Sequence, residues 1–282
     1  MEVTVAKSAG FCFGVKRAVE MVYQEAEKER KVYTLGPIIH NEQVVADLQQ
    51  KGVGVLESVE DIKEEGITII IRSHGVGRET LEALQKKNVQ IVDATCPFVK
   101  KIHNIVQEKQ QEGYGIIVVG NASHPEVEGI CGWCKKECIV VETPQDAVKC
   151  TFPPGKKVCV VAQTTFNYKK FEDIVDILSK KSYDILIMNT ICNATEERQT
   201  EAGTIARLSD AMIVIGGKHS SNTQKLYEIC KAECLDTHFI QTLDDLDLNL
   251  FQSFRSVGIT AGASTPNNII KEVQSYVRKY EQ

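Results

Sequence analysis

Apolar residues along the chain fall in short, β-branched blocks separated by longer stretches with helical periodicity. The blocks are Val3–Ala6, Val32–Leu35, Ile67–Ile71, Gln90–Asp93, Ile116–Val119, Ile139–Val141, Val158–Ala162, Ile185–Met188, Met212–Ile215, His238–Gln241 and Ser256–Thr260. Several have almost no polar face, as strands do when a parallel sheet buries them on both sides. Amphipathic helices are predicted between them, over Val15–Lys28, Glu42–Lys51, Arg78–Lys87, Pro97–Gln111, Phe171–Lys180, Thr195–Arg207, Thr223–Lys231 and Pro266–Tyr280. Such alternation predicts an α/β fold with mainly parallel sheets.

The segments also resemble one another. Three strands end in a glycine and a polar loop: Leu35-Gly36-Pro37-Ile38-Ile39-His40-Asn41-Glu42, Val119-Gly120-Asn121-Ala122-Ser123-His124-Pro125-Glu126 and Ile215-Gly216-Gly217-Lys218-His219-Ser220-Ser221-Asn222. They align without a gap, placing His40, His124 and Ser220 together, and Glu42, Glu126 and Asn222 together. A second set leaves a strand at His74, Thr164 and Ser264. A third carries cysteine: Val92-Asp93-Ala94-Thr95-Cys96, Met188-Asn189-Thr190-Ile191-Cys192 and, from the N-terminal strand, Val5-Ala6-Lys7-Ser8-Ala9-Gly10-Phe11-Cys12. Length alone suggests about two domains. The repeat predicts three similar α/β units instead, over 13–95, 96–190 and 191–282 plus 1–12, around a pseudo-threefold axis with a central cluster.

Ligands of open α/β sheets bind beyond the carboxyl ends of the strands, where all these residues lie. Three thiolates from three units suit an iron–sulfur cluster with one iron lacking a protein ligand, and they suit zinc. Histidines, neutral hydroxyls and an amide beside helix starts suit a phosphate-bearing anion. No Walker loop and no dinucleotide fingerprint occurs. Glu42 and Glu126 each read either as a proton donor with a raised pKa or as a carboxylate favoured at a helix N-terminus.

Composition narrows the classes further. Net charge is −5, which argues against nucleic acid or an anionic membrane surface as the main partner. The longest apolar runs are far short of the roughly 20 residues of a spanning helix. Residues Met1 to Gly10 lack a cationic start followed by an apolar block, so a cytoplasmic protein is expected. Ten cysteines are present, and in a reducing compartment they are not expected to form a disulfide framework. Cys131, Cys134 and Cys138 have metal-ligand spacing but no counterpart in the other units, leaving an accessory metal site or reduced thiols as readings. Cys230 and Cys234 lie four apart on a predicted helix, and Cys150 and Cys159 read as packing residues.

The motifs Gly10-Phe11-Cys12-Phe13-Gly14-Val15, His40-Asn41, Ser73-His74-Gly75-Val76, Asp93-Ala94-Thr95-Cys96-Pro97, His124-Pro125-Glu126-Val127-Glu128-Gly129, Gln163-Thr164-Thr165, Thr190-Ile191-Cys192, Ser220-Ser221-Asn222-Thr223 and Thr260-Ala261-Gly262-Ala263-Ser264 span nearly the whole chain. On them the sequence resembles the 4-hydroxy-3-methylbut-2-enyl diphosphate reductase family of isoprenoid biosynthesis (the methylerythritol phosphate pathway). The resemblance implies a [4Fe–4S] cluster on Cys12, Cys96 and Cys192. It implies Glu126, Thr164 and His124 at the reacting end of the substrate, and diphosphate contacts from His40, His74, His124, Ser220, Ser221, Asn222 and Ser264. It implies reductive dehydroxylation of an allylic diphosphate to isopentenyl and dimethylallyl diphosphate, with electrons from an external carrier such as ferredoxin or flavodoxin. Asn121 stands where the family often carries histidine. A zinc-dependent phosphoester hydrolase and an anion-binding redox sensor are the rival classes for the same thiols.

Overall fold

The computed structural model describes residues 1–136, 138–247 and 254–279. β1 (Glu2–Val5) and α1 (Phe13–Ala26) open the chain. Next come β2 (Val32–Leu35), α2 (Glu42–Gln50), β3 (Val53–Leu56), β4 (Thr68–Ile71), α3 (Arg78–Gln85) and β5 (Gln90–Asp93), whose strands form a parallel sheet in the order β3-β2-β4-β5. α4 (Pro97–Gln111) leads into β6 (Gly115–Val119), α5 (Pro125–Gly132), β7 (Cys138–Val141), α6 (Pro144–Lys149), β8 (Lys157–Ala162), α7 (Tyr168–Ser179) and β9 (Asp184–Ile187), with sheet order β7-β6-β8-β9. α8 (Asn193–Arg207) precedes β10 (Ala211–Ile215), α9 (Ser221–Glu233), β11 (Thr237–Ile240), β12 (Ser256–Ala261) and α10 (Asn267–Arg278).

The last sheet runs β1-β12-β10-β11, with β1 parallel to β12 in the register Val3↔Val257. With β1 counted as its fourth strand, all three sheets share one order: second, first, third, fourth. In each, the first and third strands are neighbours while the chain leaves them in opposite directions. That is the switch point at which open α/β sheets bind ligands.

The chain divides into two compact units. One comprises Met1–Lys16, His40–Val44 and Asn193–Gln282 and holds the sheet β1-β12-β10-β11. In it Ile213, Ile215, Val257 and Ile259 pack on Ile269, Val273 and Val277 of α10, while Met212 and Val214 face Ala202, Ala206 and Leu226 of α8 and α9. The other comprises Arg17–Ile39 and Val45–Cys192 and holds the remaining two sheets. There Ile117, Val119, Val158 and Val160 bury against Ile174 and Leu178 of α7, and Ile116, Val118 and Val161 against Ile102, Val106, Val127 and Ile130 of α4 and α5. Helices on both faces explain why these strands read as unbroken apolar blocks.

Three elements escape the periodicity. β3 has the sequence Val-Gly-Val-Leu at a sheet edge; its Gly54 pairs with Tyr33, whose ring fills the space a Cβ at Gly54 would need. α5 is eight residues long and carries two glycines. Gly132 lies against the backbone of Gly77, so the helix is covered on that side too and has no regular polar stripe. α6 has six residues, and its signature is the box formed by Thr143 and Asp146 rather than a period. Tyr280, at the end of the last predicted helix, lies outside the described residues. Cys150, Cys159, Cys230 and Cys234 are buried, the last two on and after α9 against α8 and β10.

Candidate functional site

The fourth strand of every sheet runs into a loop ending on a cysteine. The amide of Cys96 donates to the Ser73 carbonyl at 2.9 Å, that of Cys192 to Thr164 at 3.0 Å, and that of Cys12 to Ala263 at 3.2 Å. Each acceptor stands two residues past the third strand of the same sheet. The three thiols are therefore held by one repeated hydrogen bond. Each cysteine directly precedes a helix (α4, α8 and α1). All three are half-buried. One thiolate beyond each sheet is a donor set that suits iron–sulfur or zinc chemistry.

Two of the cysteine loops are clasped by arginines. Arg198 of α8 is buried and donates to the carbonyls of Ser8 (Nε, 2.9 Å) and Gly10 (Nη2, 2.8 Å), just before Cys12. Glu201, one turn along α8, accepts from the Lys7 and Ser8 amides. Arg17 of α1 donates to the Thr95 carbonyl at 3.2 Å, just before Cys96. Asp93 and Asn189, each three residues before a cysteine, accept from Thr95 N and Ile191 N and turn their loops.

The two candidate carboxylates part company. Glu42 is the first residue of α2, exposed, and accepts from Gln241 Nε2 at 3.2 Å. Glu126, in the first turn of α5, is 2% exposed. Its Oε1 accepts from the Thr164 amide at 2.6 Å and its Oε2 from Thr164 Oγ1 at 2.7 Å. Burial pushes its pKa up to about 7, against the opposing pull of those two bonds. Glu126 is thus able to exchange a proton near neutral pH.

The polar residues follow the first and third strands. His124 caps α5, its Nδ1 accepting from the Glu126 amide at 3.1 Å, so a neutral ring carries its proton on Nε2. His74 meets His124 edge to face, with ring centroids 5.2 Å apart. Ser220 caps α9, accepting from Thr223 N at 3.3 Å. Ser264 Oγ lies 3.5 Å from Ser220 Oγ and donates to the His40 carbonyl at 3.2 Å. Ser221 is the first residue of α9 and Asn222 the second. Asn222 is 3% exposed, yet neither its Oδ1 nor its Nδ2 has a hydrogen-bond partner among the described residues. A buried amide left so costs about 1–3 kcal/mol until something pairs with it. His219 is exposed beside this cluster.

Sequence reasoning missed Arg17, Arg198 and the cap role of Asn41, whose Oδ1 accepts from Val44 N at 3.0 Å. The arginines left one trace: they stand five and six residues after Cys12 and Cys192.

Three parallel sheets with a thiol beyond each, and one buried carboxyl with a raised pKa, define an α/β protein built like an enzyme. A family model described as "LytB protein" matches residues 3–278, and the chain belongs to that family. Among its relatives, a Caldanaerobacter subterraneus subsp. tengcongensis protein named 4-hydroxy-3-methylbut-2-enyl diphosphate reductase is 48% identical over 276 residues, covering 97% of this chain and 95% of that one. A Clostridioides difficile protein of the same name is 47% identical over 278 residues, covering 98% and 99%. A solved structure titled as the E-1-hydroxy-2-methyl-but-2-enyl-4-diphosphate reductase from Plasmodium falciparum superposes with a TM-score of 0.91 at 32% identity, covering 99% of this chain and 87% of that one. Another, described as (E)-4-hydroxy-3-methyl-but-2-enyl diphosphate reductase, the terminal enzyme of the non-mevalonate pathway, gives 0.69 at 43% identity, covering 99% and 100%. Among the described residues no helix is long and apolar enough to cross a membrane.

Proposed function

We propose that this chain reduces 4-hydroxy-3-methylbut-2-enyl diphosphate to isopentenyl and dimethylallyl diphosphate, releasing water, as a cytoplasmic enzyme of the methylerythritol phosphate pathway. The observation that carries the reading is the buried Glu126, held on both oxygens by Thr164 and titrating near pH 7. The chemistry breaks one allylic C–O bond and takes up two electrons and two protons, so it needs a buried acid at the leaving oxygen.

Cys12, Cys96 and Cys192 would hold a [4Fe–4S] cluster; their identical amide bonds in three sheets support one shared purpose. When bound, that cluster supplies electrons one at a time from a carrier such as ferredoxin or flavodoxin, and Lewis acidity at an iron without a protein ligand. The chain's own residues do the rest. His40, His74, His124, Ser220, Ser221, Asn222 and Ser264 bind the diphosphate, aided by the N-termini of α5 and α9. That anchoring orients the allylic alcohol, so binding energy is used to position the reacting carbon. Glu126, protonated in part at neutral pH, gives a proton to the departing hydroxyl, and Thr164 fixes the direction of the carboxyl. His124, adjoining Glu126 on the same turn, links the diphosphate contacts to the proton donor.

The test is anaerobic purification with iron, sulfide and zinc analysis, followed by assay of substrate loss with dithionite and a viologen. Iron and sulfide near four each per chain with reductant-dependent loss supports the reading. Zinc in place of iron, or phosphate release without reductant, overturns it in favour of a hydrolase.

A further inference from the structure

Three thiols that the reduction does not use gather at the far end of α5. Cys131 is the last residue but one of the helix, Cys134 follows it, and Cys138 opens β7. Cys138 Sγ lies 3.2 Å from Cys131 Sγ. The Cys134 thiol also bears on Cys138, making Cys138 the shared neighbour of the other two. All three are half-buried rather than sealed in the core. A disulfide needs its sulfurs about 2.05 Å apart, so the 131–138 pair closes with a shift of about 1 Å.

Cys131 and Cys134 line a cavity of about 700 Å³ whose wall carries four glutamates, Glu57 and Glu128 among them, and one arginine, Arg72; of the two, Cys131 is the one in sulfur contact with Cys138. Cys138 is not part of that wall. A net negative approach repels an anionic oxidant such as a glutathione-type disulfide and admits a small neutral one. The hydrogen bond to Cys138, burial and the charge of Glu128 all hold Cys131 in its thiol form, so its oxidation is slow and quickens with rising pH.

We propose that Cys131 and Cys138 are an oxidant-responsive dithiol that closes to a disulfide with a peroxide as oxidant. The sulfur of Cys131, on the cavity wall, attacks a peroxide oxygen. The O–O bond breaks, leaving a sulfenic acid and one water. The sulfur of Cys138 then attacks the Cys131 sulfur, the S–O bond breaks, and a second water departs. The two thiols lose two electrons and two protons; hydrogen peroxide is reduced to two waters. The site bears on function through the helix it ends. α5 has His124 as its cap and Glu126 in its first turn, and the new bond ties the other end of that helix to β7.

The experiment uses protein purified anaerobically with its iron retained and its zinc content measured. It is exposed to hydrogen peroxide at alkaline pH, for many times the period that consumes a free-cysteine standard, then treated with catalase, alkylated and digested without reduction. Trypsin cuts after Lys135 and Lys136, so a 131–138 bond leaves two peptides joined. The expected product is that pair, two hydrogens lighter than the separate peptides, with Cys134 alkylated. Cys138→Ser should stop at a sulfenic acid on Cys131 that dimedone traps, and Cys134→Ser should still cross-link. Full alkylation of all three thiols overturns the proposal. So does a link running mainly through Cys134, or stoichiometric zinc that is lost in Cys138→Ser, which would make the cluster a metal site.

Discussion

Thr164 grips both oxygens of Glu126, with its amide at 2.6 Å and its hydroxyl at 2.7 Å. Through its carbonyl the same residue accepts the amide of Cys192 at 3.0 Å. One residue thus fixes the direction of the buried acid and the loop of a cysteine. Glu126→Gln keeps the shape and removes the transferable proton. Turnover should fall by about 10²–10⁴-fold while substrate affinity changes little, read from single-turnover assay and calorimetry. Near-normal turnover would remove Glu126 from the proton-donor role.

The raised pKa of Glu126 carries a stability signature of known sign. A carboxyl at about 7 in the folded state and 4.5 otherwise favours folding most below pH 4.5, and that advantage is lost as pH rises through 7. The loss amounts to roughly 3 kcal/mol. Glu126→Gln does not titrate, so its Tm should gain on the parent as pH rises from about 5 to 8. Parallel Tm curves across that range would show that Glu126 is not shifted. If the acid form is the active one, kcat falls over the same alkaline limb.

Removing the Thr164 hydroxyl should move that limb. Thr164→Val deletes one of the two bonds that favour the carboxylate, so the limb moves to higher pH. Thr164→Ser retains the bond and should keep the parental profile. A pH–rate profile of the three proteins decides the matter, and identical limbs would sever the link between the two residues.

Asn222 is predicted to trade binding against stability. Its buried amide has no partner among the described residues. Asn222→Leu removes that cost, so the ligand-free protein should hold its Tm or gain by up to about 1–2 kcal/mol. Diphosphate binding, measured calorimetrically with inorganic pyrophosphate, should weaken by about tenfold or more, the cost of one lost hydrogen bond to a charged group. A variant that loses stability and keeps affinity would mark Asn222 as structural.

Arg198→Met keeps the length of the side chain and drops its donors. The carbonyls of Ser8 and Gly10 then lie without them, at about 2–3 kcal/mol. Iron bound per chain should fall together with stability. Lys is no substitute, because the guanidinium's fork reaches both carbonyls at once.

Most of this architecture is legible in the chain because buried strands cannot hide their apolar residues. Eleven of the twelve described strands stand out as β-branched blocks, and the repeated glycine loops and cysteine loops mark strand ends. β3 is silent because Gly54 yields its side-chain space to Tyr33. α5 is silent because its glycines let Gly77 approach, which removes the polar face that periodicity detects. That silence matters, since α5 is the element that buries Glu126 and so separates it from Glu42, its equal in the linear alignment. The arginine clasps are hidden for another reason: a bond from Arg198 to the Ser8 carbonyl joins residues 190 apart and leaves no local pattern.

The seating of β1 against β12 also orders events in time. β1 precedes every other described strand, and its sheet neighbour β12 follows them all. Until Ser256–Ala261 has been synthesised, β1 has no sheet to join, and the Ala263 carbonyl that accepts the Cys12 amide does not exist. Of the three cysteines, Cys12 is thus the last to receive its amide bond, however early the loops of Cys96 and Cys192 are in place.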